Sequence, residues 1–190
     1  MNWYKMLRTY FPVEEMKSKE HIETLLKDKQ HCYFLDYSAD HVILFAEFED
    51  FIFVDYVYVS SQSRGKGIGR KIINKLKQKK KTIILEVEPI IESNPDTKKR
   101  VQFYERENFK LSQNIHYNKN SLLTGEKVQL NIMYWPPLQE SELSVFSKVI
   151  RMYEEIHTYK DKEIYGKEHA RAHQVLQYHE EKSGVVSKAM

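Results

Sequence analysis

Three of the chain's six glycines stand at alternate positions, Gly65, Gly67 and Gly69. Glycine reaches positive φ and lets the backbone come close to a ligand, so a cluster of them fixes one sharp turn. Before that turn, Phe51 to Val59 reads as an apolar and aromatic strand; after it, Ile68, Ile72, Ile73 and Leu76 form the apolar positions of a helix. A loop running directly into a helix aims several unpaired N–H groups, with the positive end of the helix dipole, at one small volume. Arg64, Lys66 and Arg70 add positive charge there. The stretch predicts a strand, an anion-binding bend and a helix, with a diphosphate as the natural ligand.

The pattern narrows the choice of ligand. A nucleoside-triphosphate loop requires G-x-x-x-x-G-K-[ST], which is absent from this turn. The dinucleotide fingerprint G-x-G-x-x-G fails because the third glycine arrives one residue early, although Glu86 and Glu88 stand about 20 residues on, where its acidic partner would be. What Arg64-Gly65-Lys66-Gly67-Ile68-Gly69 does fit is R-x-x-G-x-G. Arg100-Val-Gln-Phe-Tyr-Glu-Arg-Glu-Asn-Phe109 fits a second segment, F-Y-x-x-x-G-F, with Asn108 in place of the glycine. Together and in this order they resemble the acetyl-CoA-binding signature and the following helix of the GNAT N-acetyltransferase superfamily. The resemblance covers residues 1–137. Asparagine tolerates the left-handed conformation that ends such a helix, so the departure at Asn108 is mild.

Composition sets the outer bounds. With 41% hydrophobic and 30% charged residues the chain reads as globular, and a net charge of +3, from 30 basic and 27 acidic residues, is too balanced to predict a nucleic-acid partner. The basic run Lys75 to Lys81 complements the negative end of the preceding helix. A single cysteine, Cys32, excludes an intramolecular disulfide and a multi-cysteine zinc site, and reads as a structural thiol in a reducing compartment. The first residues lack the apolar core of a signal peptide and no run approaches membrane-spanning length, so a cytoplasmic location without a membrane partner is expected.

Along the chain, Trp3 to Phe11 reads as a first strand, and Pro12 opens a helix from about Val13 to Lys27. Cys32 to Tyr37 and His41 to Phe48 read as a hairpin leading into the organising strand. Thr82 to Val87 is a buried central strand, parallel to its predecessor through the intervening helix. Ser93 or Asn94 caps the helix that carries Tyr104, Leu111 to Tyr117 and Val128 to Tyr134 close the sheet, and Pro136-Pro137 ends the domain. The expected architecture is an α/β, mixed-sheet, GNAT-like acyl-CoA N-acyltransferase domain over residues 1–137. A helical C-terminal extension follows over 138–190. Leu143, Phe146, Val149 or Ile150, Tyr153 and Ile156 recur at helical spacing there, and a second helical piece follows Gly166 with Val175, Leu176 and Tyr178. That stripe covers either the domain or a second copy in a homodimer.

The resemblance implies acetyl-CoA as cosubstrate and direct attack of an amine on its thioester, with no metal. The pantetheine arm would meet the main chain of Val57, Tyr58 and Val59 as an added strand. The diphosphate would rest on Arg64, Gly65, Lys66, Gly67, Ile68 and Gly69. Tyr104 matches the family's general acid, and Thr97 stands where the family often has a CoA-binding asparagine. For the base, Glu88 and then Asp55 are the candidates, with Glu86 on the same face as Glu88 and His116 as a further option; Arg100 or Lys98 could instead neutralise the glutamates. Carboxylates at the site favour a cationic small molecule or a lysine-like amine as acceptor. His169 and His173 lie four apart, but without a glutamate in an H-E-x-x-H frame they read as a solvated helix face. The alternative reading is a non-catalytic acyl-CoA-binding or protein-interaction module.

Overall fold

The computed structural model describes residues 2–121 and 123–180. Its strands are β1 (Tyr33–Tyr37), β2 (His41–Glu47), β3 (Phe51–Val59), β4 (Thr82–Val87), β5 (Lys110–Leu111), β6 (Ile115–Asn120), β7 (Lys127–Trp135) and β8 (Leu176–Tyr178). Helices are α1 (Trp3–Arg8), α2 (Lys19–Asp28), α3 (Ile68–Lys77), α4 (Pro95–Arg106), α5 (Glu142–Met152), α6 (Asp161–Tyr165) and α7 (Ala172–Val175). The strands form one sheet in the order β1-β2-β3-β4-β7-β6-β8, with β5 paired to β7. Among the described residues only β3 and β4 are parallel, joined through α3; the other pairings are antiparallel.

Alternation along β3 and β4 creates the layers. Ile52, Val54, Ile83 and Leu85 pack with Ile73 and Leu76 of α3 and Val101 and Tyr104 of α4 on one face. Phe51, Phe53 and Ile84 meet Leu7 of α1, Ile22 and Leu25 of α2, and Val145, Val149 and Met152 of α5 on the other. Each fully buried Ile or Leu in these layers contributes about 1.5–3 kcal/mol.

The predicted hairpin, organising strand, α3, parallel β4 and Asn94 cap all form, with the Asn94 side chain accepting from the Asp96 amide. Trp3 to Phe11 is a helix followed by a turn rather than a strand: Asn2 caps it through the Lys5 amide, and Trp3, Leu7 and Phe11 recur every four residues. Aromatic strand propensity was outweighed by that cap and spacing. The helix expected from Val13 to Lys27 forms over Lys19–Asp28, capped by Ser18, while its start is a separate 3₁₀ turn, Val13–Glu15.

The expected strand Leu111 to Tyr117 is broken at 112–114, where the Glu142 carboxylate, in the first turn of α5, accepts from Ser112 Oγ at 2.7 Å and from the Asn114 amide at 2.9 Å. Farther on, Leu176 to Tyr178 forms a strand on β6 rather than a helix. The tail packs on this same chain: of the expected stripe Val149, Tyr153 and Ile156 are buried and Phe146 and Ile150 partly so, Leu143 is exposed, and Val145 and Met152 complete the buried face. Residues 181–190 of the expected extension lie outside the described residues. Among the described residues no helix is long and apolar enough to cross a membrane.

Candidate active site

The site begins where two strands part. Parallel pairing of β3 with β4 runs from Phe51 opposite Thr82 to Val54 opposite Leu85 and then ends, while β3 stays paired to β2 as far as Val59. The cause is local: the β2–β3 register shifts between Leu44 and Phe45, opposite Tyr56 and Val54, so Asp55 is an extra, bulged residue. A bulge bends its strand and increases its twist, which turns the end of β3 away from β4.

Between the parted ends lies a cleft of about 490 Å³. Val57 and Val59 line it from β3, and Arg64, Gly65, Gly67, Ile68 and Gly69 line it from the loop and the start of α3. Gly65 and Gly67 hold φ of +79° and +78°, the left-handed region that favours glycine. Gly67 is the N-cap of α3 and no side chain caps that helix, which leaves its first amides open toward an anion. Gly69 serves another purpose: a Cβ there would stand 3.1 Å from Phe103 Cζ, so its smallness lets α3 approach α4. Lys66 is exposed on the loop, outside the cleft lining, and Tyr58 packs with the other face of the sheet. The Arg64 side chain donates from Nε to the Val59 carbonyl at 3.2 Å and lies over Tyr10, 4.8 Å from the ring centroid. Arg70 pairs with Glu107 at 2.7 Å.

One face of α4 forms the opposite wall. Asp96, Lys99, Arg100, Phe103, Tyr104 and Glu107 recur at three- and four-residue spacing and all line the cleft. Tyr104 is 7% exposed, and burial, opposed by the Arg100 charge, pushes its phenol up to about 12. It therefore holds its proton throughout the neutral range. Thr97 lies outside the cleft: its hydroxyl donates to the Asn94 carbonyl at 2.7 Å and accepts from the Ile91 amide at 3.0 Å. Asn108 ends the helix region at φ 61°, as the sequence predicts.

Similar proteins decide the family. The "Acetyltransferase (GNAT) domain" family matches residues 28–111. A relative from Bacillus subtilis (strain 168), named "Putative acetyltransferase YjbC", is 50% identical over 177 residues, covering 93% of this chain and 92% of the relative. The chain belongs to the GNAT acetyltransferase family. Its fold is that of a solved GNAT structure from Bacteroides thetaiotaomicron, with a TM-score of 0.62 at 21% identity over 87% of this chain and 91% of that one. Ard1 from Thermoplasma volcanium has the same fold, with a TM-score of 0.52 at 14% identity over 72% and 89% of the two chains.

In this GNAT chain the cleft meets a second, smaller cavity of about 70 Å³ on the far side of the sheet, sharing Phe11, Asp55, Glu86 and Arg100 with it. The three carboxylate candidates for the base, Asp55 of β3, Glu86 of β4 and Glu88 just beyond it, all lie at this junction or in the smaller cavity, with different partners. The bulge turns Asp55 out of the parity of Val57 and toward the opposite face, where Lys17 Nζ donates to it at 2.7 Å and Tyr33 Oη at 2.6 Å. Glu88 is bound by Arg100 and by Glu15. Burial and the hydrogen bond and charge of Glu88 raise Glu15 to about 9, so Glu15 keeps a proton at neutral pH.

Glu86 alone of the three receives a histidine. His157 Nε2 lies 2.8 Å from its Oε1, and Lys119 Nζ stands 3.7 Å from its Oε2. Burial would raise Glu86, but the positive partners around it prevail and it stays ionised. His157 is lowered, mainly by burial, so at neutral pH it is an uncharged imidazole donating to the carboxylate. It sits at the end of a π-helical turn, Tyr153–His157, that re-aims the face of α5. Sequence reasoning missed it, and the signal was present: a histidine four residues after Tyr153, inside the apolar stripe. Lys17 and Lys119 carried no such signal. His116 is exposed on β6 beside His179, away from both cavities; His169 lines the smaller cavity, whereas His173 is exposed on α7. Cys32 is partly buried and its thiol is raised by burial, which suits a structural role.

Proposed function

We propose that this chain transfers an acetyl group from acetyl-CoA to a primary amine by direct attack in a ternary complex. The observation that carries the reading is the parting of β3 and β4, which joins an anion-ready helix start and a protonated tyrosine on one side to a carboxylate-lined cavity on the other. The residues present fit the cosubstrate. The open edge of β3 at 57–59 offers main-chain groups to a pantetheine arm, the uncapped amides of α3 offer a seat for a diphosphate, and Arg64 supplies charge nearby.

When bound, acetyl-CoA supplies an acyl group already activated as a thioester. The chain orients the amine, takes its proton and returns one to the departing sulfur. Glu86, held ionised and oriented by His157, is assigned as the proton acceptor; Glu88 and Asp55, each bound by a cation, line the wall beside it. Tyr104 holds the proton for the thiolate, and general acid catalysis of this kind contributes about 10²–10⁴-fold.

An amine panel assayed for thiol release tests the transfer. Tyr104→Phe is expected to lower kcat by about 10²-fold or more while calorimetric CoA affinity is unchanged. Acetyl-CoA binding without thiol release for any amine would favour a non-catalytic module, and no binding to well-folded protein would end both readings.

A further inference from the structure

The smaller cavity holds two donors without a hydrogen-bond acceptor among the described residues. His21 is fully buried and lines it. The Ser18 amide donates to Tyr165 Oη at 2.9 Å, and Tyr165 Oη lies 3.1 Å from His21 Nδ1. We assign the phenol proton to Nδ1, since Tyr165 Oη already accepts from the Ser18 amide; the imidazole proton then stands on Nε2. That Nε2 is buried without a partner. Leaving a buried donor without an acceptor is unfavourable, which motivates an acceptor on the cavity side of the ring. Burial lowers His21 to about 3, in keeping with a neutral ring that donates from Nε2.

Lys119 supplies the second unused donor. Its ammonium stands 3.7 Å from Glu86, an ion pair beyond hydrogen-bond reach, and its other close contact is the Tyr117 ring, with the centroid at 5.4 Å. The cavity thus offers a cation and a neutral N–H to an oxygen anion, beside the ionised Glu86 that faces an amine. Of the charges lining it, Lys17 is paired with Asp55 and Arg100 with Glu88, which leaves Glu14 and Glu86 beside Lys119, and a zwitterion matches both signs. The volume of about 70 Å³ suits a small molecule. His157, Tyr165 and His169 from the C-terminal segment form part of the wall, which gives that segment a role in the site.

We propose that the acceptor is a small amino-carboxylate whose carboxylate is received by His21 Nε2 and Lys119 Nζ while its amine faces Glu86. This rests on the acetyl-transfer reading above and names the class of amine within it.

The test compares glycine, β-alanine and 4-aminobutyrate with methylamine, ethylamine, propylamine and spermidine, using acetyl-CoA and thiol release. At least one amino acid is expected to show a KM ten-fold or more below its alkylamine counterpart. Lys119→Met and His21→Phe, each checked for an intact thermal transition, are expected to erase that advantage. Alkylamines or spermidine consumed as well as every amino acid would overturn the inference and leave acetyl transfer standing. So would an advantage that survives in Lys119→Met. Where no amine is turned over, titration of the CoA-loaded protein with the same amino acids decides: binding lost in Lys119→Met supports the carboxylate site, and no binding to the wild type overturns it.

Discussion

Two positions in the site show how one side chain or its absence is constrained. Gly67 holds φ at +78° with open space around its missing Cβ, so Gly67→Ala meets strain rather than a clash. The left-handed conformation costs an L-residue about 1–2 kcal/mol, and a loop that relaxes out of it misaligns the amides of α3. CoA affinity is expected to fall by about ten-fold, read by calorimetry, with a fold that remains intact. Asp55 is constrained by charge: its carboxylate is 3% exposed and neutralises Lys17, itself 9% exposed. Asp55→Asn leaves that ammonium buried and unpaired, a loss of about 3–5 kcal/mol in urea unfolding, and adding Lys17→Met is expected to restore much of it. A role for Asp55 as the base alone predicts loss of rate without loss of stability.

Helix α3 and the C-terminal segment each act as a unit. Because the diphosphate seat is main chain, Arg64→Ala is expected to weaken CoA only a few-fold, less than the change at Gly67, since an exposed charge contributes about 0.2–1 kcal/mol. The segment after Pro137 adds α5 to one core layer and β8 to the edge of β6, and its Glu142 holds the break between β5 and β6. A chain ending at Pro137 would expose the faces that Val145, Val149, Met152 and Ile156 cover, and is expected to lose the cooperative thermal transition of the full chain in calorimetry.

Acid stability belongs to the molecule as a whole, because the groups that set it sit where several elements meet. His21 and His157 are buried and neutral, with folded pKa values lowered from 6.5 to about 3 and about 4. A histidine with a depressed folded pKa contributes stability in full above its unfolded value, and that contribution is lost as pH falls below 6.5 toward the folded one. Each such group costs about 1.4 kcal/mol per pH unit in that window. Melting temperature is expected to drop steeply between pH 6.5 and 4.5, and His21→Phe to shallow the slope. A flat profile over that range would show that these rings are charged or exposed.

Much of this molecule was written locally. Gly65, Gly67 and Gly69 between an apolar strand and an amphipathic helix, the nearly continuous apolar run Thr82 to Val87, the Asn94 cap and Asn108 at its turn all follow from short-range rules, and all form. Aromatic residues at 3–11 misled because the same side chains serve a strand or a helix, and the Asn2 cap settled it. What the chain's order could not supply was the partner of each carboxylate. Asp55, Glu86 and Glu88 are alike in sequence, yet the bulge opposite Leu44 and Phe45 sends Asp55 to Lys17, the turn after α5 brings His157 to Glu86 from 71 positions away, and Arg100 takes Glu88. Periodicity fixes which face a residue occupies; the protonation and reach of a buried group depend on charges that only folding brings within a few ångströms.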